Sequence, residues 1–351
     1  MEIKEAIKKL IEQEDLTEDQ TKDVFEQIMS GKATEAQIGS LLTALRIKGE
    51  TVSEITGAAR IMRKKATKLN LRTAVDIDRE DINLDEETIL DTCGTGGSQT
   101  NTFNISTASA FVVAGCGVKV AKHGNKSVSS QCGSADVLAE LGVNLDLQPE
   151  KVSECIRQIG IGFLYAPLYH SAMKYAIKVR KQIGIRTIFN ILGPLTNPAN
   201  ANAQVLGVYE ERLVEPMAHV LKNLGVHLAF VVFGLDTLDE ITITGQTKIA
   251  ELKNKQVKSY YIKPQDFGIP VANLEDIKGG NAKENAKIII DVLSGKKGPY
   301  ADVVILNASA ALVAAREACD FKEGVKLARK SIESREALTK LNQLKELSNK
   351  L

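Results

Sequence analysis

The chain has no surplus of charge of either sign: 45 basic and 44 acidic residues leave a net charge of +1 over 351 residues. A bulk nucleic-acid binder needs a large excess of cations to neutralise phosphates, so the balance argues against that class while leaving room for a local basic pocket. Paired cysteine spacing is missing too. Cys93, Cys116, Cys132, Cys155 and Cys319 are odd in number, irregularly spaced and without a CxxC pair, which speaks against a disulfide framework or a zinc site. The opening residues, Met1-Glu2-Ile3-Lys4-Glu5, are charged, and no signal peptide is expected. No apolar run reaches the ~18 residues that a membrane span requires. Repeats and low-complexity tracts are absent. The expectation is a cytoplasmic protein with reduced thiols and neither a nucleic-acid nor a membrane partner. Its 44% hydrophobic and 25% charged content is ordinary for a globular chain, and its length suits one large domain plus a small one.

The first ~65 residues read as helices alone. Ile3, Ile7, Leu10 and Ile11 form one apolar stripe. Three further helices open with capping boxes, Thr17 with Gln20, Thr34 with Gln37 and Thr51 with Glu54, and Gly31 and Gly49 stand where helices should stop. Their apolar faces exceed what four short helices bury among themselves, so they are expected to pack on another element or a partner chain. Residues 68–88 are crowded with Asp and Glu and read as an acidic linker; the fixed spacing and central glycine of a Ca²⁺ loop are missing.

From residue 88 the pattern alternates. Strands are expected at 88–91, 118–121, 162–165, 205–208 and 229–234, with helices at 106–114, 135–141, 150–159, 171–181 and 211–224. That alternation predicts a mostly parallel sheet flanked by helices. Segments 241–244, 248–252 and 257–262 read as antiparallel additions, giving a mixed sheet, and 321–348 as one charged C-terminal helix. The segment 185–198, with Gly193, Pro194 and Pro198, reads either as a hinge or as an ordinary loop.

Two loops carry the chemistry. Asp91-Thr92-Cys93-Gly94-Thr95-Gly96-Gly97-Ser98, followed by Thr102-Phe103-Asn104-Ile105-Ser106-Thr107, reads as a strand end, a glycine-rich turn and a helix entry. Backbone amides there suit oxyanions, although a tight turn with no ligand has the same pattern. Lys122-His123-Gly124-Asn125-Lys126-Ser127-Val128-Ser129-Ser130 is a second cationic, hydroxyl-rich stretch. Together they suggest one site for a highly phosphorylated substrate.

These motifs, with Asn190-Ile191-Leu192-Gly193-Pro194-Leu195-Thr196-Asn197-Pro198 and Leu238-Asp239-Glu240, are similar in order and spacing to those of the anthranilate phosphoribosyltransferase family, and the resemblance covers essentially the whole chain. It implies a fold of the nucleoside phosphorylase/phosphoribosyltransferase type: a small helical domain (1–67, joined by part of 170–200), the acidic linker (68–88), and a large α/β domain (89–351) that binds phosphoribosyl pyrophosphate. It also implies Mg²⁺, in two ions, and a homodimer joined through the helical domains. Contacts to phosphoribosyl pyrophosphate carry over to Gly94, Gly97, Ser98, Thr102, Asn104, Ile105, Ser106, Thr107, Lys122, His123, Gly124, Asn125, Lys126, Ser127, Ser129, Ser130 and Ser134. Contacts to anthranilate carry over to Gly94, Asn125 and Arg180, with His123 and His170 as pocket candidates; either histidine could equally be structural.

Two positions depart from the family pattern. Ser98 stands where an Asp usually ends the glycine loop, and Lys126 where an Arg usually follows the Asn; the first loses a negative charge, the second the bidentate fork. Asp239 and Glu240 are hard ligands suited to Mg²⁺, with Ser106 as an added oxygen. Adjacent residues of a regular strand face opposite sides, so sharing a metal requires them to sit at the start of a strand over 241–244. Without the family they would read as two solvated charges. No residue is expected to act as a dedicated catalyst. The rival expectations are a pyrimidine nucleoside phosphorylase of the same fold and a non-catalytic nucleic-acid-binding relative.

Overall fold

Seven short extended runs, the central ones largely apolar, supply the strands of one sheet. In the computed structural model, which describes residues 1–71, 87–97, 100–127 and 131–351, they are β1 (Ile89–Gly94), β2 (Lys119–Gly124), β3 (Ile161–Tyr165), β4 (Ala203–Gly207), β5 (Leu228–Gly234), β6 (Thr247–Lys253) and β7 (Gln256–Ile262). Their order is β3-β2-β1-β4-β5-β6-β7. The pairings from β3 through β5 are parallel and the last two antiparallel. The mixed, mostly parallel sheet is as expected. The chain leaves β1 toward β2 and β3 on one side and returns through β4 and β5 on the other. The C-terminal ends of β1 and β4 therefore flank a topological switch point, the place where open α/β sheets leave a crevice. Gly94 and Gly207, the last residues of these two strands, are register partners there.

The helices are α1 (Ile3–Ile11), α2 (Glu18–Met29), α3 (Glu35–Lys48), α4 (Val52–Lys65), α5 (Ile105–Gly115), α6 (Ser134–Glu140), α7 (Pro149–Ile159), α8 (Ala166–Tyr169), α9 (Lys174–Ile183), α10 (Ile188–Leu192), α11 (Val214–Asn223), α12 (Ala282–Leu293), α13 (Pro299–Ala314), α14 (Phe321–Glu333) and α15 (Glu336–Lys350). All three anticipated capping boxes form, at Thr17, Thr34 and Thr51. Along β5, Leu228, Phe230 and Val232 join a core containing residues of α5, α7 and α12–α15. The alternate residues Ala229, Val231 and Phe233 join a core shared with α1–α4, α9, α10 and α11. Burial on both faces explains why β3, β4 and β5 read as largely apolar runs, whereas β1 and β2 carry Asp91, Lys122 and His123 toward the site.

Four expectations need correction. Residues 241–244 are not a strand; side chains bond the backbone of Ile241 and Thr242, and the Ile243 carbonyl accepts from Ala272 N–H, which lies in a loop and not in a strand. Asp239 and Glu240 consequently lie within the β5–β6 loop rather than at a strand start. The expected C-terminal helix is two, α14 packed mainly on α13 and α15 mainly on α5 and α7, broken where Arg335 takes a left-handed backbone (φ 67). The segment 185–198 is neither plain loop nor bare hinge. It holds α10 and a 3-10 turn (Gly193–Leu195), with Ile188, Phe189, Ile191, Leu192 and Leu195 buried. Two anticipated helices start with a 3-10 turn, at Ser171–Met173 and Glu211–Leu213. The acidic linker lies mostly outside the described residues.

Candidate active site

The site is assembled at the switch point, because β1 delivers the glycine loop there and the β5–β6 loop crosses it. Gly96 N–H donates to Asp239 Oδ2 (2.9 Å) and Thr95 N–H to Gly207 O (2.9 Å). A Cβ on Gly207 would lie 1.6 Å from Asp239 O, so this strand end must be glycine for the acidic loop to lie on it. Glu240 Oε1 accepts from Ser106 N–H at 3.1 Å, which places a carboxylate at the N-terminus of α5, the favourable end for negative charge. Burial first, then the neighbouring Asp239 charge, pushes Glu240 up to about 8, against the opposing pull of Lys122 and Ser106.

Lys122 lies beneath this pair. It is 3% exposed, and its Nζ donates to Thr92 O (2.6 Å) and Ser106 Oγ (3.3 Å). Burial lowers its pKa, and Asp91, Cys93 and Glu240 counter that by favouring the cation. Lys122 is thus an interior amine and not a surface lysine. Lys126 is exposed.

The second loop is shaped by Asp136, a residue outside every expected motif. Its Oδ2 accepts from Ser127 N–H and Gly133 N–H, each at 2.9 Å. The Asn125 carbonyl accepts from Ala135 N–H (3.1 Å) and Ser134 Oγ (3.4 Å). Asn104 donates to Cys132 O (3.2 Å) and accepts from Asn285 Nδ2 (3.0 Å), a partner on α12. Arg186, also unforeseen, donates from Nη2 to Gly97 O (2.6 Å) and stacks on Tyr209 at 4.4 Å. Its one sequence cue is its place just before the Thr187–Asn190 capping box.

His123 and His170 meet at 3.2 Å between ring nitrogens. Burial, with the neighbouring ring adding to it at His123, lowers them to about 3 and about 4, so both are neutral near pH 7. Arg180 on α9 lies against the Phe189 ring at 5.3 Å, and burial lowers its pKa. Among the described residues its guanidinium has no carboxylate partner. Gly94 and Gly124 end β1 and β2; Thr102 forms an isolated bridge with Lys278; Ile105 and Thr107 are buried in α5. Ser98, Ser129 and Ser130 lie outside the described residues. The structure therefore brings Gly94, Gly97, Ser106, Lys122, Asp239 and Glu240 into one cluster and pairs His123 with His170. Arg180 lies on α9, over the Phe189 ring.

Among the described residues, no group of three or more His, Cys, Asp or Glu is placed to hold a metal. Asp239, Glu240 and the Ser106 hydroxyl do offer hard oxygen donors. That set fits Mg²⁺, which is usually held by one or two carboxylates, waters and substrate phosphates and not by a full protein cage. All five cysteines are free. Among the described residues no helix is long and apolar enough to cross a membrane.

Residues 4–66 match the glycosyl transferase family helical bundle domain, and 86–338 match that family's a/b domain. The chain is 58% identical to the anthranilate phosphoribosyltransferase of Geotalea daltonii and 59% identical to that of Geobacter sulfurreducens, with 99% of each chain covered in both comparisons. The chain belongs to the anthranilate phosphoribosyltransferase family. A crystal structure of the family member from Thermus thermophilus superposes with a TM-score of 0.89 at 40% identity, covering 98% of this chain and 99% of that one. The Saccharomyces cerevisiae enzyme, solved in complex with phosphoribosyl pyrophosphate and Mg, superposes with a TM-score of 0.88 at 29% identity, covering 99% and 98%. The family assignment selects the transferase over the phosphorylase and the nucleic-acid-binding relative.

Proposed function

We infer that the chain transfers the 5-phosphoribosyl group of phosphoribosyl pyrophosphate to the amine of anthranilate, giving N-(5-phosphoribosyl)anthranilate and pyrophosphate in tryptophan biosynthesis. The observation that carries this is the convergence of the glycine loop, the α5 N-terminus, buried Lys122 and the Asp239–Glu240 pair at the switch point, in a chain with full-length relatives of that name.

The reaction breaks the bond from C1 of the ribose to the pyrophosphate oxygen and forms a bond from C1 to the amine nitrogen, with inversion. The ring carbon becomes cationic and the departing pyrophosphate more negative. Preorganised positive charge aimed at the leaving group lowers that barrier without reorganisation. Lys122 supplies fixed charge, and the glycine loop, Asn104, Thr102 and the second loop from Asn125 through Ser134 bind the phosphates and ribose. Asp239, Glu240 and Ser106 would hold Mg²⁺, two ions in this reading, whose chemistry is to neutralise pyrophosphate charge. Arg180 takes the anthranilate carboxylate with its planar fork, and His123 and His170 form the neutral polar wall of the acceptor pocket beside Gly94. The attacking amine becomes strongly acidic once bonded to carbon, so water takes its proton and no enzyme base is required. No covalent enzyme intermediate forms.

The same reading proposes a cytoplasmic homodimer joined through the helical domain, made of residues 1–67 with α9 and α10. Phosphorus NMR of the reaction mixture tests the chemistry: one pyrophosphate per anthranilate consumed is expected. Release of pyrophosphate without anthranilate, or phosphorolysis of thymidine or uridine, would contradict it.

A further inference from the structure

The β5–β6 loop that carries Asp239 and Glu240 belongs to no strand, yet Ile241, immediately after Glu240, is fully buried. A buried backbone amide and carbonyl without a ladder need partners. One side chain provides both. Asn307, from the middle of α13, accepts from Ile241 N–H at 2.9 Å through Oδ1 and donates to Ile241 O at 2.8 Å through Nδ2. Its second amide hydrogen goes to Val303 O at 2.9 Å. Asn307 is 3% exposed on a helix whose other buried residues are all Ala, Val, Ile or Leu apart from Ser309. Ser309 merely bonds back to Leu306 O on its own helix. Asn307 thus acts as a one-residue strand partner for the loop.

The loop is also fixed on its outer side. Asp236 Oδ2 accepts from the hydroxyls of Thr242 and Thr244, each at 2.5 Å, and Thr242 N–H donates to Thr247 Oγ1 at 3.0 Å. Between these two clamps the carboxylates have little freedom. Asp239 is set against Gly96, and Glu240 against Ser106.

We propose that Asn307 is a positioning residue for the Asp239–Glu240 pair: it fixes the Ile241 peptide from behind and so aims Glu240 at the N-terminus of α5, where the pyrophosphate and its Mg²⁺ are to be held. The proposal rests on the reading of Asp239 and Glu240 as the Mg²⁺-holding residues. Asn307 touches neither substrate nor metal. Truncating it releases the loop and not a ligand.

Calorimetric titration of phosphoribosyl pyrophosphate into the full chain, repeated over a Mg²⁺ series, separates the possibilities, with the melting temperature of each variant measured alongside. Asn307→Leu keeps the volume and loses both bonds to Ile241. Asn307→Asp keeps the acceptor and loses the donor. Partners that orient metal-holding carboxylates are worth about 10- to 100-fold in metal affinity, so Asn307→Leu is expected to need about tenfold more Mg²⁺ for half-saturation, and Asn307→Asp a smaller increase. Anthranilate binding should stay within about twofold of wild type, because the acceptor contacts are made by other residues. A folded Asn307→Leu or Asn307→Asp protein that melts early yet titrates with Mg²⁺ as wild type does would overturn the proposal and leave Asn307 a packing residue. Glu240→Gln is the control on the reading beneath it. Its Mg²⁺ response should collapse; an unaltered response would refute the metal assignment and the proposal together.

Discussion

Arg180 is the residue whose role depends most on context. Its sequence neighbourhood, Lys178 and Lys181 on one helix, is that of a solvated cation, whereas the structure lays its guanidinium on Phe189, half-buried and without a carboxylate partner among the described residues. A charge-assisted bond to the acceptor carboxylate is worth about 1.5–3 kcal/mol, so Arg180→Ala should raise the anthranilate KM about 10- to 100-fold with the phosphoribosyl pyrophosphate KM nearly unchanged. An unaltered anthranilate KM would remove it from the pocket. The histidine pair makes a pH prediction. Both folded pKa values lie below the ordinary value of 6.5, at about 3 and about 4. Between pH 6.5 and those values the unfolded chain binds more protons, so stability falls as the pH drops through that window. At pH 5 the loss is on the order of 2 kcal/mol per histidine. Melting curves from pH 7 to 5 should show it, and His170→Gln should flatten the slope; an identical slope would contradict the assigned burial. Lys122 is visible as a cation in the sequence but not as a buried one, because its burial depends on Thr92 and α5 closing over it.

At the scale of elements, β3, β4 and β5 are legible because sheet burial on both faces writes largely apolar runs, and the first helices because their caps are local. Failures come where side chains stand in for backbone. Ile241-Thr242-Ile243-Thr244 alternates like a strand, yet its hydroxyls turn to Asp236. Helix α13 is buried nearly all round, so it has no polar face to reveal its period. Neither it nor α12 was anticipated. Two glycines test the close approaches in the site. A Cβ on Gly97 would fall 2.7 Å from Arg186 Nη2, on a backbone at φ +83. Gly97→Ala should therefore lose about 1–2 kcal/mol of stability and weaken phosphoribosyl pyrophosphate binding. Gly207→Ala forces the Asp239 peptide outward, and kcat/KM should fall about 100-fold or more, as expected when reacting groups shift by an ångström. Activity within a few-fold of wild type would show that the loop need not lie on β4.

For the whole molecule, the order of motifs is decisive: strand, glycine turn, helix, basic loop and acidic loop occur in the sequence that the switch-point topology requires. What could not be read is how distant segments meet. Asn104 with Asn285, Gly97 with Arg186, and Ile241 with Asn307 are long-range pairs with no local signature. The helical segments at the N-terminus share a core with α9, α10 and one face of the sheet, while Ile11 and Ile47 remain 66% and 73% exposed. In the proposed dimer these outer faces are candidates for burial. Sedimentation should give twice the 38.1 kDa chain mass, and a concentration-independent monomer would contradict the dimer. The central claim is the transfer itself. Purified protein mixed with anthranilate, phosphoribosyl pyrophosphate and Mg²⁺ should extinguish anthranilate fluorescence only when all three are present. Undiminished fluorescence with folded protein, or loss that continues when phosphoribosyl pyrophosphate is left out, would contradict the account.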